Sequence, residues 1–151
     1  QPGFHSFLKV LSILYDLSTT TDFHILSTSA FTHRSIDSDN ERIQRVTQYI
    51  EAHYRSSITL EQLSRLADMT PTSFSRFFSA HTGRTLSDYI TSVRIGHAAH
   101  LLLTSDMGVA EVCYDCGFNT ISHFNRSFKK QKGCSPSQFR ENYHSKSTAK
   151  P

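Results

Sequence analysis

The chain has 151 residues, of which 37% are hydrophobic and 11% aromatic, and its formal net charge is +3. This length and apolar content allow a buried core, which excludes a disordered chain and suits one domain with short extensions. Three cysteines do not make a disulfide framework, and no run reaches the ~18 apolar residues of a membrane span. No secretory signal is recognised at the start, so we expect a cytoplasmic protein with no membrane partner.

Charge is distributed unevenly along the chain. Residues 1–40 carry two basic and four acidic residues, a net of −2. Residues 119–140 carry no acidic residue and five basic ones: Arg126, Lys129, Lys130, Lys132 and Arg140. From charge alone two interpretations stay open, a docking surface for an anionic partner or a solvated helix face.

The N-terminal part predicts a strongly apolar helix over Phe4–Leu17, which must pack against something, and a second element over Asp22–Phe31. Residues 35–40 are polar and lack periodicity, which predicts a linker. The chain begins with Gln instead of Met, and we expect it to be a piece of a longer protein.

Helix signals then follow closely. Ser38 with Glu41 three residues later predicts a capping box at the start of a helix. Further helices are predicted to begin after Thr59, Thr70, Thr85, near Val109, after Thr120 and after Ser135. Because no strand pattern competes over residues 39–144, the sequence predicts an all-α fold.

An internal repeat is the strongest single observation. The segment 60–89, shifted by fifty residues, matches itself at seven of thirty positions without a gap. The identical positions are Glu61/Glu111, Thr70/Thr120, Phe74/Phe124, Arg76/Arg126, Phe78/Phe128, Gly83/Gly133 and Ser87/Ser137. The chain is therefore expected to contain one supersecondary unit twice, in tandem.

Each copy has the proportions of a helix-turn-helix unit, a short helix followed by a tight turn and a longer helix. Two phenylalanines four residues apart share one helix face, so the arginine between them is expected to project to the opposite side. The exposed stripes would then be Thr72, Ser75, Arg76 and Ser79 in the first copy and Ser122, Asn125, Arg126 and Lys129 in the second. Arginine pairs with guanine and asparagine with adenine in the major groove, while lysines further along would lie towards phosphates.

The helix between the copies is predicted over residues 86–103, roughly 27 Å long at ~1.5 Å per residue. Successive major-groove faces on one side of a duplex lie ~34 Å apart. Such a strut could place two recognition helices about one helical turn apart within a single monomer.

From Glu41 to Tyr143 the chain resembles the AraC/XylS family of bacterial transcription regulators. The motifs that carry the resemblance are Phe74-Ser75-Arg76-x-Phe78, Arg94-Ile95-x-x-Ala98, Cys116-Gly117-Phe118, Phe124-x-Arg126-x-Phe128 and Ser135-Pro136-x-x-Phe139-Arg140. The resemblance implies a seven-helix DNA-binding domain with two helix-turn-helix units joined by a long helix. It places base contacts on Thr72, Ser73, Ser75, Arg76, Ile121, Ser122, Asn125 and Arg126, to which we add Ser79, Lys129 and Lys130. Ile121 departs from the polar residue often found there, and it would either touch a thymine methyl or pack.

The resemblance also suggests a domain plan. Family members usually carry a sensing β-barrel and a helical dimerisation element ahead of the DNA-binding domain. Residues 1–34 are interpreted as the tail of that region, 41–144 as the DNA-binding domain and 145–151 as a disordered tail. The expected partners are double-stranded DNA and, at a promoter, RNA polymerase. The N-terminal helix could pair with a second copy in a homodimer or fold back.

The sequence also contains residues that are typical of metal sites. Cys113-x-x-Cys116 could bind zinc, but the fifty-residue shift places these cysteines over Leu63 and Leu66, which indicates core positions. His97 and His100 have a metal-ligand spacing on one helix and are expected to be solvated. No nucleophile elbow or glycine-rich phosphate loop occurs, so we expect no enzyme, cofactor or metal. A protein-interaction module and a metal-dependent enzyme or sensor stay as alternatives.

Overall fold

Seven helices and no strand make up the part of the chain that the structure describes. It is a computed structural model that describes the backbone of residues 29–148 and the side chains of residues 38–143. The helices are α1 (Ser29–His53), α2 (Leu60–Leu66), α3 (Pro71–Thr82), α4 (Leu86–Thr104), α5 (Val109–Asp115), α6 (Ile121–Lys132) and α7 (Pro136–Thr148). The all-α prediction is confirmed. The helix predicted over Phe4–Leu17 and residues 22–28 of the next element lie outside the described residues.

The predicted start of α1 is wrong. The backbone is already helical at Ser29, through the expected linker at 35–40 and past the capping box expected at Ser38. Residues 29–53 contain neither Gly nor Pro, so nothing in this stretch breaks a helix, and Asp39 pairs with Arg42 one turn later at 3.2 Å. At the other end, α7 continues through Thr148, past the predicted start of a disordered tail at residue 145.

The remaining helix starts are confirmed, most of them by a side-chain cap. Thr59 and Gln62 form a reciprocal capping box at α2. Thr70 accepts from the Ser73 backbone with Pro71 at the first helical position of α3, and Thr85 caps α4 in the same way. Gly83 and Gly133, both left-handed, end α3 and α6.

Two separate cores result, one for each helix-turn-helix unit. The first unit is α2–α3, and its core holds Val46, Ile50, Leu63, Ala67, Phe74, Phe78 and Ile90. The second unit is α5–α6, and its core holds Ile95, Ala98, Ala99, Leu102, Val112, Cys113, Cys116, Phe118, Phe124 and Phe128. Helix α4 contributes to both cores, Ile90 to the first and Ile95 onward to the second, so it joins the units as expected.

A structural alignment of the two units needs a gap of one residue, unlike the ungapped match of the sequences. The recognition helices α3 and α6 begin after Thr70 and Thr120, fifty residues apart, but α2 and α5 begin after Thr59 and Gly108, forty-nine apart. The turn of the second unit is therefore one residue longer than that of the first. Correctly aligned, Cys113 corresponds to Ser64 and Cys116 to Ala67, not to Leu63 and Leu66.

No helix within residues 29–148 is long and apolar enough to cross a membrane.

Candidate nucleic-acid interface

The exposed face of α3 is held in place by two buried aromatic rings. Phe74 and Phe78 are fully buried with ring centroids 5.7 Å apart, which turns the other side of the helix outwards. The residues predicted as contacts in this unit are all exposed: Thr72, Ser73, Ser75, Arg76 and Ser79.

Two serines of this face already use their hydroxyl groups locally. The Thr70 hydroxyl donates to Ser73 Oγ at 3.0 Å, and the Ser75 hydroxyl donates to the Pro71 carbonyl at 3.0 Å. With its proton committed to the backbone, Ser75 offers an acceptor oxygen to a ligand. Such an oxygen suits the amino group of adenine or cytosine, or a bridging water.

The face of α6 repeats this arrangement with more charge. Phe124 and Phe128 are fully buried with centroids again 5.7 Å apart. Ser122, Asn125, Arg126, Lys129 and Lys130 are all exposed. Ile121, at the first position of the helix, keeps 37% of its surface exposed, so it is available at the rim of the face.

The basic block of residues 119–140 divides in two. Lys129, Lys130 and Lys132 are exposed in the last turn of α6, where cations also complement the helix dipole. Arg140, in contrast, turns inwards. Its Nε donates to the Leu102 carbonyl at 3.0 Å and its Nη2 to the Met107 carbonyl, so it caps the C-terminal end of α4. Arg140 therefore belongs to the scaffold and not to the charged surface.

Arg94, in the middle of α4, ties the two units together. Its Nε donates to the Tyr54 carbonyl at 2.8 Å and its Nη2 to the Ser56 carbonyl at 2.9 Å. These carbonyls lie just past the end of α1, and the guanidinium carbon also lies 6.0 Å from the Phe118 ring centroid in the second unit. Burial lowers the Arg94 pKa, and the two carbonyls offset the cost of burying the charge.

A cleft of about 650 Å³ lies beside this contact, between the residues after α1, the start of α4 and the turn of the second unit. Its polar lining includes Arg55, Ser57, Thr91, Asn119 and His123. A second cleft of about 670 Å³ lies between α4 and α6 and contains Arg126 and Lys130. The exposed face of α6 is therefore continuous with polar grooves along α4.

The histidines and cysteines considered as metal ligands lie at the surface or in the core of the fold. The side chain of His97 is 38% exposed, which agrees with its predicted position at the surface, but its ring also stacks on Tyr54 with centroids 3.9 Å apart and its Nε2 lies 3.1 Å from a Glu51 oxygen. His100 is exposed.

Cys113 and Cys116 are fully buried, and burial raises the pKa of both thiols, that of Cys116 to about 11. The thiolate that would bind zinc is thus disfavoured. No group of three metal-ligating side chains occurs among the described residues.

Sequence reasoning missed Arg94 and Arg140 as residues that position the site. Arg94 and Arg140 each lie beside an apolar residue within a family motif, but the spacing gives no indication of which carbonyls they reach. The available signal for Arg94 was a charged residue between Val93 and Ile95, two apolar residues of the predicted helix.

The fold and the two exposed faces define the class of protein. Two helix-turn-helix units, each presenting a polar recognition helix from an aromatic core, form a tandem helix-turn-helix DNA-binding domain.

Known proteins place the chain within that class. The family described as a helix-turn-helix domain matches residues 63–142, more than half of the chain. The uncharacterized HTH-type transcriptional regulator YijO of Escherichia coli strain K12 is 33% identical over 108 residues, covering 72% of this chain and 38% of that protein. The chain belongs to the AraC/XylS family of helix-turn-helix proteins.

Solved structures have the same fold. The DNA-binding domain of AdpA, determined in complex with a target DNA, is 28% identical with a TM-score of 0.67, covering 72% of this chain and 98% of that one. A probable AraC family transcriptional regulator from Rhodopseudomonas palustris CGA009 is 27% identical with a TM-score of 0.64, covering 68% and 97%. The chain therefore spans nearly the whole of these two solved chains but 38% of its Escherichia coli relative.

Proposed function

We propose that the chain is a sequence-specific transcription regulator that inserts α3 and α6 into two adjacent major-groove segments of a duplex. The observation that carries this proposal is the duplicated exposed face, with Arg76 and Arg126 at equivalent places above buried phenylalanine pairs. The solved neighbour bound to its target DNA supports the same use of the fold.

Within this proposal the residues divide by chemistry. Arg76, Arg126 and Asn125 present bidentate donors or acceptors to base edges, and Ser75 presents an acceptor. Lys129 and Lys130 are point charges at the end of α6 and bind phosphates, which fixes register without selecting sequence. The two exposed faces also include the remaining predicted contacts, which are Thr72, Ser73, Ser79, Ile121 and Ser122. No step of this function requires catalysis.

Helix α4 sets the scale of the site. It has 19 residues, which gives about 28 Å at ~1.5 Å per residue. That length is compatible with two recognition helices that enter major-groove segments about one turn apart, ~34 Å along the duplex. One monomer would then bind an operator with two base-specific blocks.

The test is selection of binding sites from a random duplex library at two salt concentrations. Two enriched blocks about one helical turn (~10 bp) apart are expected. One enriched block would mean that a single unit selects sequence while the other holds the backbone. No enrichment at low salt would contradict the proposal and favour the protein-interaction module.

Regulation and domain organisation extend the proposal. We propose that residues 41–144 are the DNA-binding domain, that residues 1–34 come from an upstream sensing or dimerisation region, and that the bound protein contacts RNA polymerase at a promoter. Transcription in vitro from a promoter that carries the selected site tests the polymerase contact. Sedimentation of the chain with and without residues 1–34 tests whether this region forms the homodimer that the sequence suggests.

A further inference from the structure

We infer that a contact between the two helix-turn-helix units determines which operator spacing the protein accepts. This inter-unit contact consists of Arg94, Gly117 and the backbone of residues 54–56. The inference rests on the proposed two-block binding mode and names the residues that make the mode selective for spacing.

At Gly117 the backbone of the second unit meets the backbone that follows α1. Gly117 follows α5 in the turn of the second unit with φ +83°, and a Cβ built there would lie 2.7 Å from the Arg55 carbonyl oxygen and 2.8 Å from that of Tyr54. The backbone of the second unit therefore touches the backbone that follows α1, with no room for a side chain.

Comparison within the repeat shows that turn geometry alone does not demand this glycine. The structurally equivalent residue of the first unit is Asp68, which has φ +55° and so occupies the same left-handed region with a side chain. The turn thus tolerates a Cβ in one unit. What differs in the second unit is the close approach to the Tyr54 and Arg55 carbonyls, so Gly117 serves the contact between the units.

Three further interactions hold the same surfaces together. Arg94 donates to the Tyr54 and Ser56 carbonyls from α4. Arg55 pairs with Asp115, the last residue of α5, at 3.2 Å. Tyr54 itself packs against the core of the second unit, although α1, which it follows directly, packs on the first. The second unit is consequently fixed against a segment that belongs to the first.

Rigid coupling has a consequence for the operator. Each added base pair moves one block by about 3.4 Å and rotates it by about 35° around the duplex axis. Two recognition helices held in one orientation match one spacing, and a shift of one base pair removes the contacts of one block. A loosened contact would let the second unit follow the displaced block.

The experiment measures affinity for duplexes that carry the two selected blocks at the selected spacing and at spacings changed by one and two base pairs. The wild type is expected to lose about tenfold or more when the spacing changes by one base pair, comparable to losing base contacts. Gly117→Ala is expected to reduce that ratio several-fold while its affinity for a duplex with a single block stays unchanged.

Gly133→Ala is the matched control. Gly133 has φ +80° and open space around its Cβ position, so the substitution imposes the same backbone strain without touching the other unit. It should leave the spacing ratio at the wild-type value. Arg94→Lys provides a second variant should Gly117→Ala not fold, because lysine keeps the charge but cannot span both carbonyls in the planar geometry of arginine.

The outcomes separate this inference from the proposed function. A wild type that accepts every spacing equally, or folded Gly117→Ala and Arg94→Lys proteins that keep the wild-type ratio, would overturn the inference while two-block binding stands. Failure of the wild type to select two blocks would contradict the proposed function itself, and the inference with it.

Discussion

Arg126 is exposed on α6, and no hydrogen bond or ion pair to another described residue holds its guanidinium. A long cation without an intramolecular partner can form a bidentate pair with guanine at little internal cost. Arg126→Ala is therefore expected to weaken binding to the selected site by about 1–3 kcal/mol and to relax the preference at one base pair. Titration of the selected duplex and of its single-base variants measures both effects.

Lys130→Gln is the appropriate comparison for Arg126→Ala. Lys130 lies in the last turn of α6, and as a phosphate contact it should weaken binding equally on all sequences and lower the salt slope by about one. If Arg126→Ala also weakens all sequences equally, Arg126 is a phosphate contact and its assignment to a base edge is wrong.

The three cysteines are expected to differ in reactivity. Cys113 and Cys116 are fully buried, and burial raises the pKa of Cys116 to about 11, whereas Cys134 is partly exposed. Because the thiolate is the reactive form, iodoacetamide near pH 8 should modify Cys134 in the folded protein and the other two only in denaturant. Peptide mass mapping identifies the labelled thiol. Labelling of Cys116 at the rate of Cys134 would contradict the assigned core.

At the level of the helix, Phe124 is expected to hold the second unit together. Its ring lies 5.1 Å from that of Phe118 and 5.7 Å from that of Phe128, and none of its surface is exposed. Phe124→Ala should lower the free energy of unfolding by about 3–5 kcal/mol, because it leaves a cavity among rings that cannot collapse freely. Urea unfolding followed by circular dichroism measures the loss.

Asn125→Ala is the control on the same helix. Asn125 is exposed, so its removal should change stability by no more than about 0.5 kcal/mol while it weakens DNA binding. A Phe124→Ala protein with an unchanged unfolding midpoint would show that the buried face of α6 has been misassigned.

Helices with an N-cap residue or a regular stripe of apolar residues could be predicted from the sequence. Thr59, Thr70, Thr85 and Thr120 each accept a backbone N–H where expected, because a cap depends on residues three apart. The start of α1 could not be predicted in this way. A polar stretch without Gly or Pro is compatible with both a solvated helix and a linker, and composition does not distinguish them.

The alignment of the repeat shows another limit of local patterns. Identity at Glu61 and Glu111 favoured an uninterrupted shift of fifty residues, but the structural partner of Glu111 is Gln62, since both are the third residue of a helix. One extra residue in the second turn changes which positions correspond. The exposed faces were unaffected, because they lie on α3 and α6, which keep the fifty-residue spacing.

On the scale of the whole molecule, α4 belongs to both cores, and α1 packs on the first core while Tyr54, the residue that follows it, packs against the second. Ile50 packs in the first core and Tyr54 against the second, while α4 contributes Ile90 to one and Ala98 to the other. Glu51 of α1 and Tyr54 just after it also contact His97 of α4. Such contacts join residues about forty positions apart, and no local pattern in the sequence could predict them.

This sharing of α4, together with the contact of Tyr54 with the second core, predicts that the two units unfold together. Loss of either core would expose apolar surface on α4 and remove packing partners of the other core, so partly folded states are disfavoured. The chain has no tryptophan, which allows one fluorescent probe per unit. Phe77→Trp reports on the first unit and Phe139→Trp on the second, since both side chains are half-buried against the respective core.

The two probes should give the same urea midpoint as circular dichroism. Arg94→Met, which removes both donors to the Tyr54 and Ser56 carbonyls, is expected to separate the two midpoints. Arg84→Met is the matched control, because Arg84 is exposed just before α4 and its guanidinium donates to Ser92 of that same helix. Distinct midpoints in the wild type would show that α1 and α4 connect the units without coupling their stability. The two units would then be held in one orientation only when the protein is bound to DNA.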